Sequence, residues 1–306
     1  MTGLHRRAVS RRRRPAAPSF AARLRQASIR PGRSVATLAV AVLSAALFAT
    51  PATSGAYTAS IHNSTNTVGS SAAFFTCDAA YAADKGSAIF SHTLAQPSRS
   101  IDAPDTASGA NPGVYRGSMI SSTATPKACP RDAGGSYVLD GTTSYLTSRP
   151  QLRNPTTFST EIWFKTTIAG GKLFSFSNSR DTAGGQYDRH TYIGANGRLV
   201  FGIYDFGVQA LTSPRAVNDG AWHHVVSTLS PTAGMSLWLD GVRVASNSAY
   251  RNPEDSIGYW KIGYDTLGGS WTNVGPAHFS GSLRYAAVYS TALTATQIQN
   301  HYNAGR

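Results

Sequence analysis

Glutamate is nearly missing from this sequence: Glu161 and Glu254 are the only two, and they lie far apart. Cleavage of a glycosidic bond ordinarily takes two carboxyl groups flanking it. A glutamate pair on one strand is therefore absent, and only the thirteen aspartates remain to supply one. Cysteine is equally scarce. Cys77 and Cys129 form no Cys-x-x-Cys, which argues against a redox motif or a zinc site. No Gly-x-Ser-x-Gly segment marks a nucleophile elbow. Long apolar runs are missing too. The uncharged stretch 35–49 is shorter than the roughly 20 residues of a spanning helix. No internal repeat occurs.

Charge is present, but in one place. The first 34 residues hold ten arginines and no acid. They precede the apolar stretch 35–49, and small residues follow it as far as Ala56. A basic segment, a short apolar core and a small-residue exit predict a secretory signal over 1–56, cleaved before Tyr57. Left uncleaved, the segment reaches spanning length and acts as an anchor. The ten arginines also explain the formal charge of +13. Without them 18 basic and 15 acidic residues remain, a net +3. A nucleic-acid partner is therefore not expected. Residues 57–85 are rich in Ser, Thr, Ala and Asn and read as a lead-in or linker. Asn63-Ser64-Thr65 matches a glycosylation sequon, which occurs often by chance. An even cysteine pair in an exported chain predicts a Cys77–Cys129 disulfide.

From residue 86 onward short β-type runs alternate with turn residues. Phe158, Thr160, Ile162 and Phe164 alternate with Ser159, Glu161, Trp163 and Lys165. Runs at 222–229, 235–239 and 242–244 predict a meander, its second turn being the tight-hairpin pair Asp240-Gly241. Runs at 137–139 and 144–146 around Asp140-Gly141 predict another hairpin. About a dozen such strands predict an all-β, antiparallel jelly-roll sandwich over 86–306. One short C-terminal helix is expected, capped by Thr294 with Gln297, stapled by Leu293 and Ile298, and ended by Gly305. His223 and His224 are adjacent and so point to opposite strand faces, one expected inside and one at the surface. His190 and His301 are expected as packing or surface residues.

Several segments together carry a family resemblance. "DGAWHHVV", then "LWLDGVRV", with "GGSYVLDGTTSYLTS" and "FSTEIWFKT" upstream and "FSGSLRYAAVYSTALTATQIQNHY" downstream, resemble the laminin-G-like (LamG) domain. That domain belongs to the concanavalin A-like lectin/glucanase superfamily, and the likeness covers roughly 86–306. The segment "ATPATSGAYTASI" with the following "NSTNT" resembles the exported amino terminus of actinobacterial surface proteins. The LamG resemblance implies a non-catalytic module for a glycan or an extracellular or cell-surface protein, secreted or attached to the surface. Fold alone does not fix the function, and a polysaccharide hydrolase or lyase or a structural spacer are the alternatives. Related glucanases carry two glutamates around an aspartate on one strand. Here Glu161 is followed by Trp163 and Lys165 where the other two acids would fall.

The resemblance also implies calcium held at one rim by carboxylates and loop carbonyls. Asp102, Asp105 and Asn111 in the opening loop are candidates, with Asp181, Asp188 and Asp205 around the second loop; turn capping is their competing role. Sugar binding needs aromatic faces beside polar groups. Tyr187, Asp188, Arg189, His190, Tyr192, Tyr204, Asp205, Trp260, Asp265 and Trp271 are the candidates, while Trp163, Trp222 and Trp238 are expected in the core. Two long polar loops, 177–190 and 265–278, carry most of the binding set. Two readings stand side by side: the loops meet as a binding rim with Trp271 and Tyr187 as stacking surfaces, or they only cover the end of the sandwich.

Overall fold

The computed structural model describes residues 73–306, which lie in one compact unit, Gly69–Arg306. The secretory segment 1–56, the cleavage point, the sequon and the start of the lead-in lie outside the described residues. Among those described, seventeen strands, β1 to β17 in chain order, build two antiparallel sheets.

The eight-stranded sheet runs β15 (Val242–Asn247), β14 (Gly234–Leu239), β13 (Trp222–Ser230), β8 (Phe158–Lys165), β17 (Ser280–Tyr289), β5 (Ser136–Asp140) and β4 (Ile120–Ser122), with β1 (Ala88–His92) also paired to β17. The nine-stranded sheet runs β12 (Val208–Ala216), β11 (Arg198–Tyr204), β10 (Tyr187–Ile193), β9 (Lys172–Ser177), β16 (Ile257–Ile262), β6 (Tyr145–Ser148), β3 (Gly113–Arg116) and β2 (Asp102–Ala103), with β7 (Leu152–Arg153) on β16. The expected jelly-roll sandwich is therefore present. Its core lies between the sheets and includes Ile162, Phe164, Val225, Leu237, Phe201, Ile203, Trp260 and Ile262.

The meander β13–β14–β15 forms as expected. Asp240 and Gly241 both have positive φ (53° and 76°), the requirement of a type I′ turn. The second Asp-Gly pair behaves differently. β5 and β6 belong to different sheets, so the hairpin expected around Asp140-Gly141 does not form. Here the Asp140 carboxylate accepts from the backbone N–H groups of Thr142, Thr143 and Ser144. This side-chain-capped turn carries the chain from one sheet to the other.

Among the described residues two α-helices are present where one was expected. In the supposed lead-in, α1 (Cys77–Asp84) is an alanine-rich helix of about two turns, capped by Thr76, whose hydroxyl accepts from Ala79 N at 3.2 Å. The second, α2 (Ala295–Gly305), has the expected capping box of Thr294 and Gln297. Gly305 does not end it in the left-handed region but stays helical. It is glycine because Trp163 lies against it, 2.2 Å from where a Cβ would sit.

The strand period shows what these helices cover. On β8, β13 and β17 the residues alternating with the core are Trp163, Val226, Tyr285, Ala287 and Tyr289. They form a second cluster with Tyr81 of α1 and Ile298 of α2. Both faces of β8 are consequently buried. Trp222 and Trp238, expected in the core, are only half-buried at the edge of this outer cluster. His223 and His224 do point to opposite faces, but both are buried.

Cys77 and Cys129 are joined, with Cα atoms 5.8 Å apart, and the bond ties α1 to the loop before β5. A Cys129→Ser variant is expected to lose about 2–4 kcal/mol. That corresponds to a melting point lower by several degrees, read by calorimetry. Two free thiols in unreduced, denatured protein would contradict the bond.

Candidate functional site

The binding candidates divide into those closed inside the fold and those beside an open surface. Asp188 and Arg189 are fully buried. Asp188 accepts from the backbone N–H groups of Arg189, Tyr204 and Glu254 at 2.6, 2.7 and 2.9 Å. Arg189, at φ 55°, donates to Asp188, Asn154 Oδ1, Ser256 Oγ, Pro155 O and Glu254 O. Burial pushes the Asp188 carboxyl up to about 6 against the pull of Arg189 and these N–H donors. The pair thus locks three loops together and offers a ligand no free group. Tyr187 opens β10 beside them.

Trp271 is buried, so of the two roles open to it, stacking platform or cover, it takes the cover. Gly202 leaves a gap on the outer face of the nine-stranded sheet, and the indole fills it; a Cβ there would lie 2.7 Å from the ring. His190 meets Trp271 edge-on at 5.0 Å. Tyr192 and Val200 flank the ring, with Tyr204 partly buried alongside. Trp260 belongs to the central core.

The expected meeting of the two loops does occur, and Lys261 makes it. Its buried ammonium pairs with Asp265 at 2.8 Å on one loop and donates to Thr182 O at 2.8 Å on the other. Above it three rings gather. Tyr264 and His278, facing each other across the base of the 265–278 loop, stack with centroids 4.1 Å apart and planes 24° apart. Tyr145 lies 4.9 Å from Tyr264 and donates to Asp181 O at 2.7 Å. Asp181 is shared by Arg116 and Arg180. All three rings are half-buried, so part of each faces solvent. Burial holds the His278 imidazole below its ordinary value.

Tyr145, Tyr264, His278, Lys261 and Arg116 were not among the expected site residues. Strand parity could have found three of them. Tyr145 and Arg116 alternate with core Leu146 and Tyr115, and Lys261 with Trp260 and Ile262, which sends all three to the outer face. Tyr264 and His278 join them only through the loop closure.

The calcium candidates are engaged locally. Asp105 accepts from the N–H groups of Ser91, Ala107, Ser108 and Asn111, and Asn111 donates to Ile89 O. Asp102 pairs with Arg149 and Asp181 with its two arginines. Asp205 closes the β11–β12 turn, its N–H donating to Gly207 O at 2.9 Å. Among the described residues one group of three or more His, Cys, Asp or Glu has its ligand atoms within 4.8 Å: Cys77, Cys129 and Asp132, whose sulfurs are already bonded to each other.

Glu161 is sealed beneath the helices. It accepts from His224 Nε2 at 2.6 Å, His301 Nδ1 at 2.9 Å and Tyr289 Oη at 2.8 Å. On the far side of its ring, His301 Nε2 reaches Asp84 of α1 at 2.9 Å. Five ionisable groups here join sheet and helices.

A two-sheet sandwich with loops folded over one face is the architecture of lectin-like domains. Residues 140–299 match the Laminin_G_3 family, described as the concanavalin A-like lectin/glucanases superfamily, and the chain belongs to it. No curated protein matches the chain. Among solved structures it is similar to the binding domain of botulinum neurotoxin DC in complex with rat synaptotagmin II (TM-score 0.51, 12% identity, 72% of this chain and 52% of that one). The binding domain of Paraclostridial Mosquitocidal Protein 1 is also similar (TM-score 0.52, 13% identity, 71% and 52%). So is domain 4 of the Geobacillus stearothermophilus arabinanase AbnA with arabinotriose (TM-score 0.48, 15% identity, 69% and 98%). The chain spans about half the length of the first two chains.

Proposed function

We propose that the protein is an exported, non-catalytic binding module that holds a saccharide on the outer face of its nine-stranded sheet. The observation that carries this reading is the half-buried stack of Tyr264 and His278 with Tyr145 beside it. Ring faces take the apolar face of a sugar, and the adjoining Arg116, Arg180 and Asp181 supply hydrogen bonds to its hydroxyls. The site rests on strand ends and on a loop closed at its base, so little ordering is needed on binding. The disulfide supports an extracellular setting.

A glycan array with the purified protein, followed by calorimetry on the best ligand, tests the reading. Tyr264→Ala is expected to weaken binding by about 1–2 kcal/mol, roughly tenfold. A chelator is expected to change nothing, because the proposed contacts use no metal. Unchanged affinity in a folded Tyr145→Ala, Tyr264→Ala double variant would remove the platform from consideration.

A further inference from the structure

The loop from Tyr264 to His278 covers an unusual floor. Half of that floor is apolar, made of Tyr192 and Val200. The other half is Lys172, His190 and Lys261, all fully buried on strands β9, β10 and β16. Sealing a sheet face calls for apolar residues, because buried cations cost energy unless they are paired. Lys172 has no carboxylate within ion-pair distance among the described residues. Its ammonium donates to Pro276 O at 3.3 Å and lies 5.3 Å from the Tyr192 ring centroid. Burial lowers its pKa to about 8.

The loop brings an acid and an aromatic ring down onto this floor. Asp265 sets a carboxylate on Lys261, and Trp271 sets a ring between His190, Val200 and Tyr192. Leu267 and Val274 of the loop also pack against this cluster, and the loop backbone is held by further bonds, among them Tyr192 Oη to Thr272 O at 2.5 Å and Ala195 N to Asn273 O at 2.8 Å. Its base turns on Gly263 at φ 90°, a conformation that favours glycine. If the loop lifts, Asp265 leaves with it. The exposed sheet then presents two ammonium groups, an imidazole and a tyrosine ring, with no acid from the loop to balance them.

We propose that the 264–278 loop is a displaceable cover acting as a built-in substitute ligand, and that the groove beneath it takes a carboxylated saccharide. The sugar ring replaces Trp271 on Tyr192, and its carboxylate replaces Asp265 on Lys261, with Lys172 available to a second acid group. This inference rests on the reading of the same face as a saccharide-binding surface and names the class of saccharide that enters more deeply.

The test uses the whole protein with oligomers of galacturonic, glucuronic and mannuronic acid against neutral hexose oligomers of equal length. Calorimetry gives affinity, and hydrogen exchange follows residues 264–278. A uronic oligomer is expected to bind and to raise exchange in that loop. Asp265→Ala, which removes the internal competitor, is expected to tighten uronic binding three- to tenfold relative to neutral binding. The nearly isosteric Asp265→Asn should act in the same direction if the alanine variant folds poorly. Lys261→Gln is expected to weaken uronic binding at least tenfold. Oligomers that bind with full loop protection and no response to either Asp265 variant, yet are lost in Tyr264→Ala, overturn the groove and leave the surface platform standing. Failure of every oligomer, neutral and acidic, to bind overturns both.

Discussion

Glu161→Ala lowers the stability of the domain by about 3–5 kcal/mol, the usual cost of removing one partner from a buried ionic cluster. The variant leaves His224 and His301 facing an empty site, takes the acceptor from the Tyr289 hydroxyl, and loosens the contact between sheet, α1 and α2. For a domain of this size the melting point should drop by about 10 °C. The pH dependence identifies the cause. Burial opposes charge on His301, but Glu161 and Asp84 outweigh it and raise the pKa from 6.5 to about 10. Burial likewise opposes charge on Glu161, and His301 and His224 hold it far below its ordinary 4.5. The His301 contribution is complete below pH 6.5 and is lost as pH rises through about 10. The Glu161 contribution is complete above 4.5 and is lost as pH falls toward its folded value. The cluster is therefore strongest between about pH 4.5 and 6.5. Calorimetry from pH 3 to 10 should show both limbs in the wild type and both diminished in Glu161→Ala, where Asp84 still keeps part of the His301 limb. A variant that melts within a degree or two of the wild type would refute this account.

Arg189→Met is expected to be comparably damaging, again about 3–5 kcal/mol, because it strands the buried Asp188 carboxylate and frees three loops. The sign of its pH dependence is distinctive. Asp188 already sits at about 6 in the folded protein, above its ordinary 3.8, so the folded state takes up a proton more readily than the unfolded chain. Without the guanidinium that pKa rises further. The destabilisation is then greatest at pH 8 and shrinks toward pH 5, where the carboxyl is neutral. Melting both proteins at the two pH values checks it; an equal gap at both would mean that lost packing dominates.

The two Asp-Gly pairs show how far local signals reach. Asp240-Gly241 closes a hairpin because its flanking strands lie in one sheet. Asp140-Gly141 has similar neighbours, but its aspartate caps the turn with a side chain and the flanking strands part into different sheets. The meander, the C-terminal capping box and the inward residues of β8 were legible because they depend on period and on contacts within a few positions. The covers over the two outer faces were not. A period of two tells which face a side chain takes, not what will lie upon it. Glu161 and Lys261 look in sequence like ordinary outward polar residues, yet both are completely buried. The choice between platform and cover for Trp271 stayed open for the same reason. A glycine-bounded loop suggests an exposed ring, and the space over Gly202 that receives it is contributed from 69 positions earlier in the chain. The meeting of the two loops was anticipated, whereas the rings that gather there depend on strand parity and loop closure acting together.

A single guanidinium touches both ends of the domain. Arg131 donates to Phe75 O, just before α1, and to Ala304 O at 2.7 Å, in the last turn of α2. A chain could thus enter and leave this sandwich within a few ångströms, on the side away from the rings of Tyr145, Tyr264 and His278. A domain with adjacent ends can be spliced into a surface loop of a host protein, since the host's two cut ends need not be pulled apart. It can equally be recut, with a short linker joining residues 304 and 75 and new termini opened in an exposed turn such as 205–207. In either form the face that bears those rings would point outward, making the fold a graftable cassette.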